Sequence, residues 1–261
     1  MTAPDADLHP DVPHAARIWN YWMGGKDNFA ADRAAGDAVV QVYPEIAAMA
    51  RLSRGFLIRV VRHLAAEAGI RQFLDIGTGL PTMQNTHEVA QGIAPESRIV
   101  YVDNDPMVLA HARALLVGTT AEGITRYVPA DYHEPEKILA EAATALDFRE
   151  PVAVMFMGVL GYEPDLATVR SITARIMAET APGSHLVLWD GTNTTEAVVE
   201  GARRLAESGG VPYILRSPAE LATCFEGLTM LEPGLTQISA WRPDSPDIEP
   251  IEAYGAVARK A

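Results

Sequence analysis

Apolar residues recur along this chain in two rhythms. Between Pro44 and Gly69, Ile46, Met49, Leu52, Phe56, Leu57, Val60, Val61 and Leu64 return every three or four positions, with arginines on the other face. That spacing predicts one long amphipathic helix stopped by Gly69. Short apolar runs follow at Gln72 to Ile76, Arg98 to Val102, Thr125 to Val128, Pro151 to Met157 and His185 to Trp189, each separated from the next by a helix-length segment. Strands spaced in this way need crossovers, and crossovers within one sheet make it parallel with helices on both faces, so the pattern predicts an α/β fold. Two later stretches, near Leu228–Leu231 and Tyr254–Val257, flank the loop R-P-D-S-P-D-I-E-P and read as an antiparallel edge pair. There is no internal repeat and no low-complexity tract.

Composition narrows the function classes. With 261 residues, 48% of them hydrophobic, the chain can bury one large core. The 34 acidic against 21 basic residues leave a net charge of −13 without a Lys/Arg cluster, which argues against a nucleic-acid partner and for a small ligand. A lone cysteine, Cys224, allows no intramolecular disulfide and no Cys-based metal cluster, in keeping with a reducing cytosol. The longest apolar run, Pro151 to Leu160, is half of what a membrane-spanning helix needs, and the acidic opening M-T-A-P-D-A-D does not read as a signal peptide. The expectation is a soluble cytoplasmic protein with no membrane partner.

The chemistry gathers where strands end. F-L-D-I-G-T-G-L-P, residues 73–81, carries Gly77, Thr78 and Gly79 directly after the first strand, where glycines permit a sharp turn and close approach of a ligand to the backbone. Thr82 stands where a dinucleotide fingerprint has its third glycine, and Asp75 precedes the turn by two residues. A carboxylate there opposes a pyrophosphate and suits an ammonium or sulfonium, and S-adenosyl-L-methionine has both. The second strand ends in Y-V-D-N-D-P, with Asp103 placed 26 residues after Gly77 to accept both hydroxyls of a ribose. After the third strand, Asp131 is placed to accept from an adenine amino group, with Tyr132 or Asn104 flanking the ring. Asp105, Glu134 and Asp165 read as helix caps instead.

The stretches Y-W-M-G-G-K-D-N-F, F-L-D-I-G-T-G-L-P-T with N-T-H-E-V-A, Y-V-D-N-D-P-M-V-L-A-H-A-R-A-L-L, L-D-F-R-E-P-V-A-V and L-E-P-G-L together resemble the actinobacterial S-adenosylmethionine-dependent methyltransferases long catalogued as a domain of unknown function. The resemblance runs from about Arg17 to Lys260. It implies a Rossmann-like class I methyltransferase with a seven-stranded, mostly parallel sheet whose last strand is antiparallel. It also implies a helical N-terminal extension, residues 1–70, forming a lid within the same domain as the cofactor-binding region, residues 71–261. On this resemblance Asp75, Gly77 and Gly79 lie at the methionine end of S-adenosyl-L-methionine, Asp103 at the ribose and Asp131 near adenine. The chain departs from the family pattern twice. Gly161 and Asp190 stand where the family commonly has histidines, after the fourth and fifth strands.

Methyl transfer from a sulfonium is an in-line displacement, so a base matters only when the acceptor must lose a proton. Tyr162, Asp190 and His133 are the catalytic candidates, with Glu163 on the same rim, and His87 is expected to pack near the cofactor edge. No zinc-type histidine pattern is present and no metal is required. The segment Y-W-M-G-G-K-D-N-F lacks phosphate-loop spacing and reads as a lid: Gly24 and Gly25 bend the backbone toward the cofactor while Tyr21, Lys26 and Asn28 reach its carboxylate. The expected function is methyl transfer to a small-molecule acceptor in specialised metabolism, by a monomer or homodimer. The alternatives are a protein that binds the same cofactor without methyl transfer and an NAD-dependent oxidoreductase.

Overall fold

The computed structural model describes residues 9–80, 84–108, 120–247 and 249–261. Thr82, the substitute for a third glycine, lies outside the described residues, as does the acidic opening segment. Three helices come first: α1 (Ala15–Trp22), α2 (Ala30–Val40) and α3 (Ile46–Ala66). The remainder runs β1 (Gln72–Ile76), α4 (Thr86–Ile93), β2 (Arg98–Asp103), β3 (Ile124–Pro129), α5 (Pro135–Ala142), β4 (Ala153–Met157), α6 (Leu166–Ala178), β5 (His185–Gly191), α7 (Glu196–Glu207), α8 (Pro218–Ala222), β6 (Thr229–Met230), β7 (Thr236–Gln237) and β8 (Ala253–Arg259).

The sheet order is β3-β2-β1-β4-β5-β8-β6, with β7 also on β8. The first five strands are mutually parallel, and β8 is antiparallel to β5, β6 and β7. The five predicted strands are all present. The two late stretches do pair antiparallel at the edge of the sheet, with β6 outermost and β8 between β5 and β6 over the full register His185↔Arg259 to Gly191↔Ala253. Two-residue β7 raises the strand count from the expected seven to eight.

Alternation along each strand divides the core between two faces. Phe73, Ile99, Met155, Val187 and Val257 join α3 residues on one face. Leu74, Val100, Val154, Leu186 and Ala256 join Ile138 of α5 and Val169, Ile172 and Ile176 of α6 on the other. On α3, Ile46, Met49, Phe56, Leu57, Val60, Val61 and Leu64 are buried as the periodicity predicts, and Gly69 just after it takes φ +71°. Its arginines do not all face solvent. Arg59 donates to the carbonyls of Trp241 and Ile238, at 3.0 and 2.6 Å, and Arg54 points into a cavity above the sheet. No helix among the described residues is long and apolar enough to cross a membrane.

Candidate active site

At the carboxyl ends of the parallel strands lies a cavity of about 810 Å³, toward the upper end of the ligand-site range of roughly 300–1,000 Å³. Its floor is the β1 turn. Gly77 and Gly79 hold φ +73° and +65°, and the amides of Gly77 and Thr78 donate to the Val102 carbonyl. A Cβ at Gly77 would meet Val159 at 2.4 Å, whereas Gly79 opens on space. The turn therefore needs glycine at the first position for packing as well as for its backbone angle.

Three acids from three strand ends line this one cavity. Asp75 is 2% exposed. One oxygen accepts from Thr86 Oγ1 at 2.7 Å, and the other, Oδ1, has no partner among the described residues. Burial pushes its carboxyl up to about 6, against the Thr86 hydrogen bond and the attraction of Arg54. An orphaned buried carboxylate oxygen is costly unless something donates to it. At the end of β2, Asp103 accepts from the amides of Gly79 at 2.7 Å and Asp105 at 3.0 Å, and burial outweighs these bonds to raise its pKa. Each of its oxygens keeps a second lone pair for another donor. Asp131 takes the Asn104 amide at 2.7 Å. Burial would raise its pKa, but its bonds to His133 and Asn104 prevail and lower it. Asn104, Tyr132 and Tyr162 share the lining, and burial pushes the Tyr132 phenol up to about 12.

Other predicted residues lie elsewhere. Tyr21, Gly25, Lys26 and Asn28 are absent from the cavity lining. The segment is instead a turn built around the buried side chain of Asn20. The Asn20 Oδ1 accepts from the Asp27 amide and from Asn28 Nδ2, each at 3.0 Å, while Gly25 lies against the Asn20 side chain so closely that a Cβ would sit 2.3 Å from it. Tyr21 donates to Asp37 at 2.6 Å, and Lys26 is exposed. The N-terminal helix that does line the cavity is α1, through Ala15, Ala16, Trp19 and Trp22, with Met23 just after it. A buried Arg17–Asp32 ion pair of 3.1 Å ties α1 to α2, and His14 pairs with Asp105 at 2.9 Å next to the end of β2.

His133 is clamped between Asp131 and Glu163, 2.6 Å from each, and does not line the cavity. Burial works against its charge, yet the two carboxylates win and raise its pKa. Asp190 is also off the lining, 1% exposed at the tip of β5. Its Oδ1 accepts from Tyr213 at 2.6 Å and from the Gly161 amide at 3.2 Å. Of the cap expectations, Asp165 does cap α6 and Asp105 accepts from the Met107 amide, but Glu134 accepts from the Asp131 amide and pairs with Lys137 instead. His87 lies on α4 in the lining, its Nδ1 2.8 Å from the Tyr101 hydroxyl.

Sequence reasoning missed Arg54 and Tyr213, both in the lining. Arg54 forms no hydrogen bond among the described residues. Burial lowers its pKa against the pull of Asp75, Tyr101 and Glu88. Its guanidinium is a cation in the lining of this acidic cavity, whereas Lys26, to which the sequence reading gave the positive charge of the pocket, is absent from the lining. Helical spacing put Arg54 on a polar face, and no local signal distinguishes a face toward a cavity from one toward water.

The profile of the family described as S-adenosyl methyltransferase matches residues 1–261. A solved structure of a DUF574 family protein from Streptomyces avermitilis MA-4680 superposes with a TM-score of 0.93 at 43% identity, covering 97% of this chain and 100% of that one. A second, from Thermobifida fusca YX, gives 0.91 at 38% identity over 100% and 99% of the two chains. A curated relative from Parafrankia sp. (strain EAN1pec), provisionally named an S-adenosyl-L-methionine-dependent methyltransferase, is 29% identical over 206 residues, which span 74% of this chain and 63% of that one.

Proposed function

Because the chain belongs to the S-adenosyl methyltransferase family, we propose that it uses S-adenosyl-L-methionine held along its three strand-end acids to methylate a small-molecule acceptor enclosed under α1. The observation that carries the reading is the opposed pair at the β1 end of the cavity: Asp75 with an unpartnered oxygen and Arg54 with no hydrogen bond among the described residues. An amino acid head group brings an ammonium for the first and a carboxylate for the second. Asp103 and its neighbour Asn104 would receive the ribose, and Asp131 with Tyr132 the adenine. The cofactor supplies an electrophilic methyl on a positively charged sulfur.

The protein's own contribution is then positioning and exclusion of water. The turn at Gly77 to Gly79 fixes the floor, the helices before residue 71 serve as the roof, and the apolar surfaces of Trp19, Trp22 and Met49 leave water few partners. Enclosure on this scale favours a small acceptor over a macromolecule, and a chain of net charge −13 favours one that is not polyanionic. Calorimetric titration of the full chain with S-adenosyl-L-methionine and with S-adenosylhomocysteine tests this. Saturable one-to-one binding of both is expected, and folded protein that binds neither would sink the proposal.

A further inference from the structure

Away from the acids, the cavity wall is aromatic and aliphatic, with Trp19 and Trp22 of α1, Met49 of α3, Trp189 of β5 and Leu205 of α7. The Trp19 ring lies 5.9 Å from that of Trp189 and 5.7 Å from that of Trp22. One polar group is built into this end with unusual care. Tyr213 lies edge-on to Tyr162 at 4.9 Å, and its hydroxyl donates to Asp190 Oδ1 at 2.6 Å and accepts from the Gly191 amide at 3.3 Å. The slot that receives its ring exists because two neighbours lack side chains. A Cβ at Gly161 would fall 2.1 Å from Tyr213 Cζ, and one at Gly191 would fall 3.3 Å from Cε1. Gly161 and Gly191 thus leave room for the Tyr213 ring, and Asp190 gives its hydroxyl a carboxylate.

We propose that Tyr213, backed by Asp190, accepts the proton of a flat, apolar aromatic alcohol whose oxygen is the atom methylated. This rests on the methyltransferase reading above. The aromatic walls select a ring system, and a phenol is the acceptor class that must give up a proton as it is methylated; a neutral ring nitrogen need not. Fixed negative charge on Asp75, Asp103 and Asp131 disfavours an anionic acceptor.

In the step, the acceptor oxygen bonds to the methyl carbon as the carbon–sulfur bond breaks and its electron pair remains on sulfur. The acceptor proton passes to the Tyr213 oxygen while the Tyr213 proton passes to Asp190, which ends as a carboxylic acid and later loses its proton to solvent. The sulfonium charge and the carboxylate charge disappear together. Asp190 is placed to work this way: burial pushes its carboxyl up to about 6, against the pull of Tyr213 and Arg216. The ionisable groups that face it are Tyr213, Tyr162, Tyr132, Cys224 and Arg216. Asp190 is thus a positioning and proton-storing residue, and Tyr213 is the group that touches the acceptor.

The test uses the full chain with 2-naphthol, 7-hydroxyflavone and 1-hydroxyanthraquinone as probes and 2-naphthoate as the anionic control. Quenching of tryptophan fluorescence reads binding, and methyl transfer from radiolabelled S-adenosyl-L-methionine reads turnover. At least one phenol should quench and be methylated, and 2-naphthoate should do neither. Tyr213→Phe and Asp190→Asn should each lower kcat by roughly 100-fold or more with KM within threefold. S-adenosylhomocysteine affinity should stay within twofold, which also certifies that the variants fold. Asp190→Glu should recover part of the rate, and wild-type kcat should fall as pH drops through about 6. If S-adenosylhomocysteine binds but no phenol is methylated, the acceptor class is wrong. Full turnover in Tyr213→Phe removes the pair from the chemistry, while loss of cofactor binding by the wild type refutes the underlying methyltransferase reading instead.

Discussion

Arg54→Met isolates the contact proposed for the cofactor carboxylate. Arg54 enters the cavity from α3, has no hydrogen bond among the described residues and is attracted electrostatically by Asp75. A charge-assisted hydrogen bond contributes ~1.5–3 kcal/mol, and each 1.4 kcal/mol is a factor of ten, so the variant should bind S-adenosylhomocysteine roughly 10- to 150-fold more weakly. Removing the cation also weakens the hold on Asp75 as an anion, which reduces attraction for the ligand ammonium in the same direction. Neither effect touches 5′-methylthioadenosine, which keeps the adenine and ribose but has no amino acid group. Calorimetry with both ligands therefore separates a specific loss from a damaged site. 5′-Methylthioadenosine should change less than twofold, and because the substitution removes a desolvated charge, thermal stability should hold or rise. Equal losses for the two ligands, or no loss for S-adenosylhomocysteine, would refute the assignment.

Burial raises the Asp190 carboxyl from 3.8 to about 6, so the native state binds a proton more tightly than the unfolded chain does. That contribution is complete below the unfolded value and lost as pH rises through about 6. Urea titrations should show wild type losing ~2–3 kcal/mol relative to Asp190→Asn between pH 4 and 7.5, and a constant difference would contradict the shift. Gly161→Ala forces a Cβ into the Tyr213 ring and should cost about 1–3 kcal/mol, with Tyr213→Ala in the same chain recovering part of it. Strict additivity in that double-mutant cycle would count against the slot. Lys26→Ala, by contrast, should leave cofactor affinity unchanged by calorimetry, since Lys26 is exposed away from the lining.

The five parallel strands were legible because each is a short apolar run bounded by helix-length segments. The acids were legible with them, because Asp75, Asp103 and Asp131 belong to the strand ends themselves. The pairing of β8 with β5 was not, since an alternating run carries no mark of every strand it joins: Tyr254–Val257 reads as half of an edge pair with Leu228–Leu231, and nothing in it shows the second partner. The acceptor end was equally hidden. Trp19, Trp189, Leu205 and Tyr213 come from four separate parts of the chain, and only tertiary packing brings them to one cavity. Lys26 lies outside the lining although the glycines beside it suggest a loop that approaches a ligand. They serve a turn around Asn20, a buried side chain whose own neighbours in sequence give no hint of it.

The insertion of β8 between β5 and β6 also bears on how the chain assembles. Strands β1 to β5 find their partners through successive crossovers, but the far edge of β5, which carries Asp190, stays open until residues 253–259 have been made. Closing it joins segments far apart in sequence, the kind of contact that slows folding. A nascent chain that already possesses the glycine turn and all three strand-end acids would still expose the backbone of β5, so ligand-binding competence and resistance to aggregation should be acquired together, late, in a single docking event.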